Sequence, residues 1–358
     1  MKTLQAEYNY HDFPSVNIQV LKHHVYEYKK GIRSMVLHTM NSAEKDKAIF
    51  ISKTKIGEFF MRKTILIILV LISINSFSQE KFGLLIIAHG SPSEQWNKPV
   101  FDLEDQVKEL LKTKNISAFD EVRVALMEFS EPSIATVVND MESKGITEIF
   151  ALPLFIAPSG HSLYDIPTIL GLYYDRRMTD GIKEEGIKIV DTKIKITVGP
   201  TLNYENVMKY ILLDKVKNLS DNPSEEALII LAHGDKNFIP IWEELTNNIG
   251  NYILGKTVIE YFDKAFVEVG QSFAIDGVST ILKASENKKK VIVVGMYLSM
   301  GVKNMAENSG FMMMRQTVES KKMLEGKNIV FDSSGLLPDK RIVEWIVDRA
   351  LEWNNYVK

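Results

Sequence analysis

The stretch Lys81-Phe-Gly-Leu-Leu-Ile-Ile-Ala-His89-Gly90-Ser91-Pro92 sets the expectation for the fold of the whole chain. Residues 84–88 are short, branched and apolar, which is typical of a strand buried on both faces of a parallel sheet. Gly90 and Pro92 then predict a turn, so His89 is expected where a buried strand opens into a loop. Ligands of open α/β sheets bind at this carboxyl end of the strands. His89 is therefore the first candidate for a functional residue.

A second copy of this stretch lies far downstream, as Glu226-Ala-Leu-Ile-Ile-Leu-Ala-His233-Gly234-Asp235. Alternating strand and helix patterns follow each copy in the same order, and after the first copy they include predicted helices over residues 99–112 and 165–174. Repeating βα units require a mostly parallel sheet with right-handed crossovers. The sequence therefore predicts an internal repeat, with an α/β fold of two similar three-layer αβα domains, each built on a mostly parallel sheet.

Composition and charge exclude several classes of function. The chain has 358 residues, of which 45% are hydrophobic, and this is enough for two domains. A net charge of -3 and the lack of a basic stripe predict no nucleic-acid partner. The absence of cysteine excludes disulfides, thiolate chemistry and Cys-ligated metal centres. A bound metal would need histidine, carboxylate or neutral oxygen and nitrogen ligands.

Residues 61–78 have the layout of a secretory signal peptide, with a basic start, a short apolar run and small residues before the first domain. The run is short for a bilayer span, so no stable span is expected in the mature form; a buried core segment is the alternative. Met61 is then the predicted true start, and residues 1–60 are an unassigned extension from a misplaced start codon or a fused fragment. This predicts export to the periplasm. A start at Met1 would instead predict a membrane-anchored or cytoplasmic protein.

Three ionisable residues are predicted at the ends of neighbouring strands, namely His89, Glu128 and His161. Two imidazoles and a carboxylate suit a divalent metal with open coordination positions. They also suit proton abstraction near neutral pH, where histidine titrates. The alternative is that each residue only packs or caps an element. Serine hydrolases and nucleotide-binding proteins are less favoured, because the sequence has no Gly-x-Ser-x-Gly, Gly-x-Gly-x-x-Gly or P-loop motif.

Three motifs together resemble the sirohydrochlorin cobaltochelatases, a family of class II tetrapyrrole chelatases. They are Leu84-Leu-Ile-Ile-Ala-His-Gly-Ser91, Ala125-Leu-Met-Glu-Phe-Ser-Glu-Pro-Ser-Ile134 and Pro153-Leu-Phe-Ile-Ala-Pro-Ser-Gly-His-Ser-Leu-Tyr-Asp-Ile-Pro167. The resemblance implies a chelatase-like fold for both domains. Residues 79–222 would form the active domain and residues 223–358 a degenerate repeat; these are called the first half and the second half below.

The resemblance implies a lyase that inserts a divalent metal into a tetrapyrrole and removes two pyrrole protons, in cobalamin or porphyrin biosynthesis. His89 would be metal ligand and proton acceptor, His161 the second ligand, and Glu128 a catalytic residue that helps to bind the metal or macrocycle or relays protons. Co2+ is the metal implied first, with Fe2+ or Ni2+ as alternatives, and no organic cofactor is implied. The substrate-binding residues would be Phe155, Ile156, Ala157, Pro158, Ser159 and Gly160.

The second half departs from the family pattern. It keeps His233 and Glu268 as candidate contributors to the site, but Val302 stands near the place of a counterpart to His161. The second half is therefore expected mainly to form the other wall of a cleft for the tetrapyrrole. The alternative to a chelatase is an exported protein that binds a tetrapyrrole or a metal ion without turnover.

Overall fold

The computed structural model describes residues 80–204, 206–268, 273–308 and 322–357. All of them belong to the unit Glu80–Lys358. The predicted extension of residues 1–60 and the predicted signal peptide of residues 61–78 lie outside the described residues. None of the helices in the described ranges is long and apolar enough to cross a membrane.

Two four-stranded parallel sheets form the framework of the described residues. The strands are β1 (Phe82–Ala88), β2 (Glu121–Leu126), β3 (Glu148–Pro153), β4 (Lys195–Val198), β5 (Glu226–Ala232), β6 (Tyr261–Phe266), β7 (Lys290–Met296) and β8 (Ile329–Phe331). Sheet A has the order β2-β1-β3-β4 and sheet B the order β6-β5-β7-β8, with parallel pairing throughout. The predicted fold class is confirmed. The common strand order is what an internal repeat would produce, although the repeat itself stays a prediction.

Helices cover both faces of each sheet. They are α1 (Glu94–Thr113), α2 (Ile134–Ser143), α3 (Ile166–Ile169), α4 (Arg176–Glu184), α5 (Val207–Leu219), α6 (Ile239–Leu254), α7 (Val278–Asn287), α8 (Val302–Asn308) and α9 (Lys340–Val357). Single π-helical turns, His161–Asp165 and Phe273–Gly277, precede α3 and α7. Every residue of β1, β5 and β7 is buried, which explains why these strands read as continuous apolar runs.

The first predicted helix begins earlier than its sequence suggested. The apolar face that begins at Val100 placed the predicted start at Pro99, but α1 begins at Glu94, and Pro99 lies inside it. An acidic residue in the first turn is stabilised by the positive end of the helix dipole. Glu94 was therefore an available signal for the true start.

The predicted helix over residues 165–174 is also wrong in extent. The structure has the π turn and the four-residue α3 in this region, and the separate helix α4 follows. Asp175 caps α4, because its side chain accepts hydrogen bonds from the backbone N–H groups of Arg177 and Met178 at 3.0 and 3.2 Å. An aspartate before a helix is a readable start signal, and it was missed here.

One apolar core lies between the two sheets and joins both halves of the chain. It contains one face of β1 and one face of β5, together with the apolar sides of α1, α5, α6 and α9. Separate cores cover the outer face of sheet A beneath α2, α3 and α4, and the outer face of sheet B beneath α7. On the inner faces, α1 and α9 cover sheet A, and α5 and α6 cover sheet B.

The last helix of each half packs on the sheet of the other half. Trp353 of α9 stacks on Phe150 of sheet A, with ring centroids 5.3 Å apart. Lys215 of α5 forms an ion pair of 2.7 Å with Asp332, which follows β8 of sheet B. The division at residue 222 stays a prediction about sequence units, but the two halves are interlocked and each sheet needs a helix from the other half.

Candidate metal-binding site

Gly90 determines how His89 and Glu128 lie beside each other. The φ angle of Gly90 is +93°, and a Cβ at this position would collide with the carbonyl oxygen of Glu128. Only glycine combines the positive φ with the missing side chain. The Glu128 N–H also donates to the His89 carbonyl at 2.9 Å. The loops after β1 and β2 are therefore in direct contact, at the carboxyl edge of sheet A.

His161 opens the π turn that follows β3, and its ring is oriented by Asp165 one turn later. The His161 Nδ1–H donates to Asp165 Oδ2 at 2.7 Å. In the same way, the His89 Nδ1–H donates to the Gly90 carbonyl at 2.9 Å. A carbonyl and a carboxylate can only accept, so Nδ1 carries the hydrogen in both rings. This arrangement leaves Nε2 of each histidine free to bind a metal.

The three predicted residues come together in space. One ligand atom from each of His89, Glu128 and His161 lies within 4.8 Å of the other two. The two imidazole rings meet edge to face, with centroids 4.8 Å apart and planes at 75°. Each residue is partly buried. Two imidazoles and one carboxylate in this arrangement can hold a divalent metal and leave coordination positions open. The ligand and catalytic roles of these residues stay predictions.

Two phenylalanine rings flank the histidines. The Phe155 ring centroid lies 6.4 Å from that of His89 and 6.3 Å from that of His161. The Phe129 ring lies 5.8 Å from His89 and is 63% exposed. An exposed aromatic face beside a metal site can stack on a flat ligand. Phe129 was missed in the sequence, although it directly follows Glu128.

The predicted substrate-binding loop is mostly built into the structure around it. Ile156 and Ala157 belong to the core between the sheets, and Ser159 is buried. The Pro158 carbonyl accepts from Trp242 Nε1–H at 3.2 Å, and the Gly160 N–H donates to Asp235 Oδ2 at 3.1 Å. Phe155 is the loop residue whose ring faces the histidines. Substrate binding by this loop stays a prediction.

The environment moves the pKa values of the two histidines in opposite directions. Burial lowers the pKa of His89, and the charges of His161 and His233 lower it further, against the opposing effects of Gly90 and Glu128. The hydrogen bond with Asp165 raises the pKa of His161, and the charges of Asp165, Glu128 and Asp235 add to this rise against the effect of burial. A proton that enters the metal-free site therefore binds His161 in preference to His89.

The second half repeats the backbone of the site without its ligand cluster. The His233 Nδ1–H donates to the Gly234 carbonyl at 2.7 Å, and the Glu268 N–H donates to the His233 carbonyl at 3.0 Å. Val302 is fully buried at the start of α8, where an imidazole at this position would face the core. His233 is near enough for its charge to act on His89. Among the described residues, neither His233 nor Glu268 belongs to a metal-type cluster.

Asp235 is a site residue that sequence reasoning missed. It accepts a hydrogen bond from the residue before His161, and it is one of the charges that act on His161. The available signal was its position in the second copy, where Asp235 follows His-Gly and Ser91 stands in the first copy. An acidic group at the carboxyl end of a strand was reason enough to consider it.

Two surface cavities of about 470 and 450 Å³ lie along α5, and the histidines line neither of them. Their walls carry no metal-ligating cluster among the described residues. The His89 site is instead an open edge between strand-end loops. Ligand geometry and shifted pKa values coincide at that edge, which makes it the candidate site.

A known protein family matches the part of the chain that carries His89, Glu128 and His161. The CbiX family model matches residues 83–219. The sirohydrochlorin cobaltochelatase of Methanosarcina barkeri (strain Fusaro) is 37% identical over 93 residues, which cover 26% of this chain and 67% of that protein. The one from Methanococcus maripaludis is 36% identical over 91 residues, covering 25% of this chain and 59% of that protein. The chain belongs to the sirohydrochlorin chelatase family.

The match to relatives is partial in length. The chain spans 59% of the length of the Methanococcus maripaludis and Methanococcus aeolicus proteins, but 92% of the sirohydrochlorin cobaltochelatase of Saccharolobus solfataricus, at 26% identity. A separate family model, a protein of unknown function (DUF2023), matches residues 19–77. This match spans Met61 and most of the predicted signal peptide.

Solved structures show the same fold. SirB from Bacillus subtilis subspecies spizizenii in complex with cobalt has a TM-score of 0.50 at 16% identity, and the match covers 76% of this chain and 94% of that chain. SirB from Bacillus subtilis with Fe3+ has a TM-score of 0.54 at 15% identity, covering 76% and 95%. The paired parallel sheets are therefore the architecture of these chelatases.

Proposed function

We propose that this protein is a metal chelatase that inserts a divalent metal into sirohydrochlorin or a related tetrapyrrole. The observation that carries the proposal is the cluster of His89, Glu128 and His161 at one edge of a buried parallel sheet. Relatives named sirohydrochlorin cobaltochelatase support the substrate and make Co2+ the first metal to test. Fe2+ and Ni2+ are the alternatives, since imidazole and carboxylate ligands suit all three ions. Such a reaction is classed with the lyases.

Metal insertion releases two pyrrole protons for each divalent ion that enters the macrocycle. In our proposal, Nε2 of His89 and Nε2 of His161 bind the incoming ion. The lowered pKa of His89 favours the neutral ring, which is the form that can coordinate a metal. When the ion passes to the pyrrole nitrogens, Nε2 of His89 becomes free to accept one proton. The Glu128 carboxylate is placed to accept the second proton or to pass protons to solvent.

The aromatic rings beside the metal ligands suit the shape of the proposed substrate. A tetrapyrrole is broad and flat, and aromatic faces stack on such surfaces. Phe129 and Phe155 lie beside the His89 ring, and Phe129 is exposed. The second half would supply the opposite wall, from which the charge of His233 acts on His89. Binding in this cleft would bring the pyrrole nitrogens toward the bound metal.

The test is metal insertion by the full chain under anaerobic conditions, followed through the absorption spectrum of sirohydrochlorin with Co2+. We expect turnover in the unmodified protein and loss of turnover in His89→Ala and in His161→Ala. Asp276→Ala is a matched control, because Asp276 is exposed in a π turn on the outer side of sheet B. A spectrum that stays unchanged with every divalent metal would sink the proposal. Spectral shifts from macrocycle binding without insertion would instead identify a binding protein without turnover.

We also propose that the protein is exported, on the basis of the signal-like residues 61–78. The family match over residues 19–77 is the competing observation, because it treats the same residues as part of another unit. Mass spectrometry of the N-terminus, on protein recovered from separated periplasmic and cytoplasmic fractions, tests export directly. A periplasmic protein that begins near Gln79 is expected. A cytoplasmic protein that retains residues 1–78 would contradict the proposal.

A further inference from the structure

The loop that carries His161 is held by two residues of the second half. Asp235 Oδ2 accepts from the Gly160 N–H at 3.1 Å. The Trp242 Nε1–H donates to the Pro158 carbonyl at 3.2 Å. Gly160 directly precedes His161 in the chain. The contact with Asp235 therefore lies one residue from the proposed metal ligand.

The Asp235 carboxylate has a defined orientation. Its Oδ1 accepts from the Asn237 N–H at 2.8 Å, and its backbone carbonyl accepts from the Phe238 N–H at 2.9 Å. Each carboxylate oxygen thus meets a backbone donor, one in its own turn and one in the His161 loop. Hydrogen bonds to an ionised acceptor are stronger than neutral ones, so this turn is a firm support for Gly160.

Trp242 provides a second support that is deeply buried. It is 3% exposed and belongs to the core between the sheets, where it packs edge to face on Phe266 of β6 with centroids 6.5 Å apart. An indole in a close-packed core has little freedom to move. The Pro158 carbonyl is therefore fixed relative to sheet B, although it belongs to the first half.

The loop is also ordered internally. The Ser159 N–H donates to Ser162 Oγ at 2.9 Å, and the Ser162 hydroxyl donates to the Ser159 carbonyl at 3.2 Å. These bonds lie within the loop, so they give it a shape without attaching it to the second half. Asp235 and Trp242 make that attachment, and a stiff loop transmits it to His161.

The equivalent position in the first half makes different contacts. Ser91 follows His-Gly as Asp235 does, and its Oγ accepts from the Ser93 N–H at 3.1 Å, much as Asp235 Oδ1 accepts from Asn237. The Ser91 carbonyl accepts from Asn97 Nδ2 at 2.8 Å and from the Ser130 hydroxyl at 3.1 Å. These partners belong to the first half, whereas the longer and charged side chain of Asp235 reaches across to the other half. The difference between the two copies is therefore specific to the contact with the His161 loop.

We propose that Asp235, assisted by Trp242, is a positioning residue for the metal ligand His161, so that the second half sets the geometry of the metal site. This inference rests on the proposed function of His161. Asp235 stands outside the group of ligand atoms within 4.8 Å of one another, so it acts through the loop and through its charge. The second half would then be more than a wall of the cleft.

The test measures Co2+ binding to the full chain by calorimetry and by the visible absorption of the bound ion. We expect Asp235→Ala to weaken Co2+ binding about 10-fold, a typical effect of losing a partner of a metal ligand, and to change the Co2+ absorption bands. Trp242→Phe removes the indole N–H and should act in the same direction. Asp235→Asn keeps one acceptor oxygen and should recover part of the affinity. Asp276→Ala should leave affinity and bands unchanged.

The outcomes separate this inference from the proposed function. If His161→Ala loses Co2+ while Asp235→Ala and Trp242→Phe keep the original affinity and bands, the positioning role is wrong and the metal site stands. If His161→Ala binds Co2+ as before, the metal site itself is wrong. Thermal unfolding shows whether each variant is folded. If Asp235→Ala does not fold, the Co2+ affinity of Asp235→Asn tests the positioning role. In metal insertion, Asp235→Ala should raise the KM for Co2+ more than it lowers kcat.

Discussion

Trp353, near the end of the chain, stacks on Phe150 of the first half with ring planes at 16°. Both side chains are buried, at 7% and 4% exposure, and Trp353 also meets Phe82 of β1 edge to face, with centroids 5.8 Å apart. The last helix of the chain thus completes the core beneath its first sheet. We therefore expect the folding of the two halves to be coupled.

Removal of this contact is expected to destabilise the whole described unit. We expect Trp353→Ala to lower the free energy of unfolding by about 3–5 kcal/mol, because it leaves a cavity in the core. Tyr356→Ala is the control, since Tyr356 lies on the same helix and is 88% exposed. Urea unfolding followed by circular dichroism should show a single transition, whose midpoint moves to a lower urea concentration in Trp353→Ala. Two transitions, of which only one moves, would show that the halves fold independently.

Replacement of Gly90 tests the contact between the two strand-end loops. In Gly90→Ala, the new Cβ is strained at the positive φ and collides with the Glu128 carbonyl. We therefore expect a loss of stability of about 1–3 kcal/mol and weaker Co2+ binding. Gly186→Ala separates the two causes, because Gly186 has a φ of +78° and open space around its Cα. Gly186→Ala should lose stability through backbone strain and should keep normal Co2+ affinity. Equal effects of the two changes on Co2+ binding would argue against a role for Gly90 at the site.

The two histidines should titrate on opposite sides of the ordinary histidine pKa in the metal-free protein. Burial lowers the pKa of His89, while the hydrogen bond with Asp165 raises that of His161. Stability from protonated His161 is thus fully present below the ordinary pKa and is lost as pH rises through its raised folded-state pKa. Long-range nitrogen–proton NMR spectra of the imidazoles measure both pKa values, with His161→Ala for assignment. The reverse order of titration would contradict the assigned hydrogen bonds.

Binding of Co2+ should depend on pH through His161. Nε2 cannot hold a proton and a metal together, so affinity should fall as pH drops through the raised pKa of His161. Asp165→Asn should move this fall to lower pH, because the hydrogen bond that raises the pKa is weakened. At higher pH the same change should reduce affinity by about 10-fold, since the carboxylate makes the ligand more basic. Calorimetry at a series of pH values around the histidine pKa should give two curves of Co2+ affinity against pH, one for each protein, that cross. Parallel curves would argue against His161 as the titrating ligand.

The ring of Phe129 should matter for the macrocycle and not for the metal. We expect Phe129→Ala to raise the KM for sirohydrochlorin up to about 10-fold, which corresponds to the 0.5–1.5 kcal/mol typical of aromatic stacking. Co2+ affinity in the absence of the tetrapyrrole should stay the same. Tyr174→Ala is the control, because Tyr174 is another exposed aromatic residue, at 79%. An equal rise in KM in the control would point to a general surface effect.

Much of the site was predictable because its residues stand at ends of strands. Continuous apolar runs such as residues 84–88 predict buried parallel strands, and parallel strands bring their carboxyl ends to one edge. Sequence patterns are therefore enough to predict that His89, Glu128 and His161 lie close together. Phe129 lay within the same motif, but exposure depends on packing, and a sequence does not state which side of a loop faces solvent.

Local patterns of the sequence by themselves determined the alternation of strands and helices, the parallel sheets and the edge where His89 lies. These features follow from short-range periodicity and from the turn chemistry of residues such as Gly90. Tertiary structure alone decided that α9 covers sheet A, that Trp242 and Asp235 hold the loop of His161, and that Asp165 orients its ring. Such contacts join residues far apart in the chain or depend on side-chain direction within a π turn, and no local pattern encodes them.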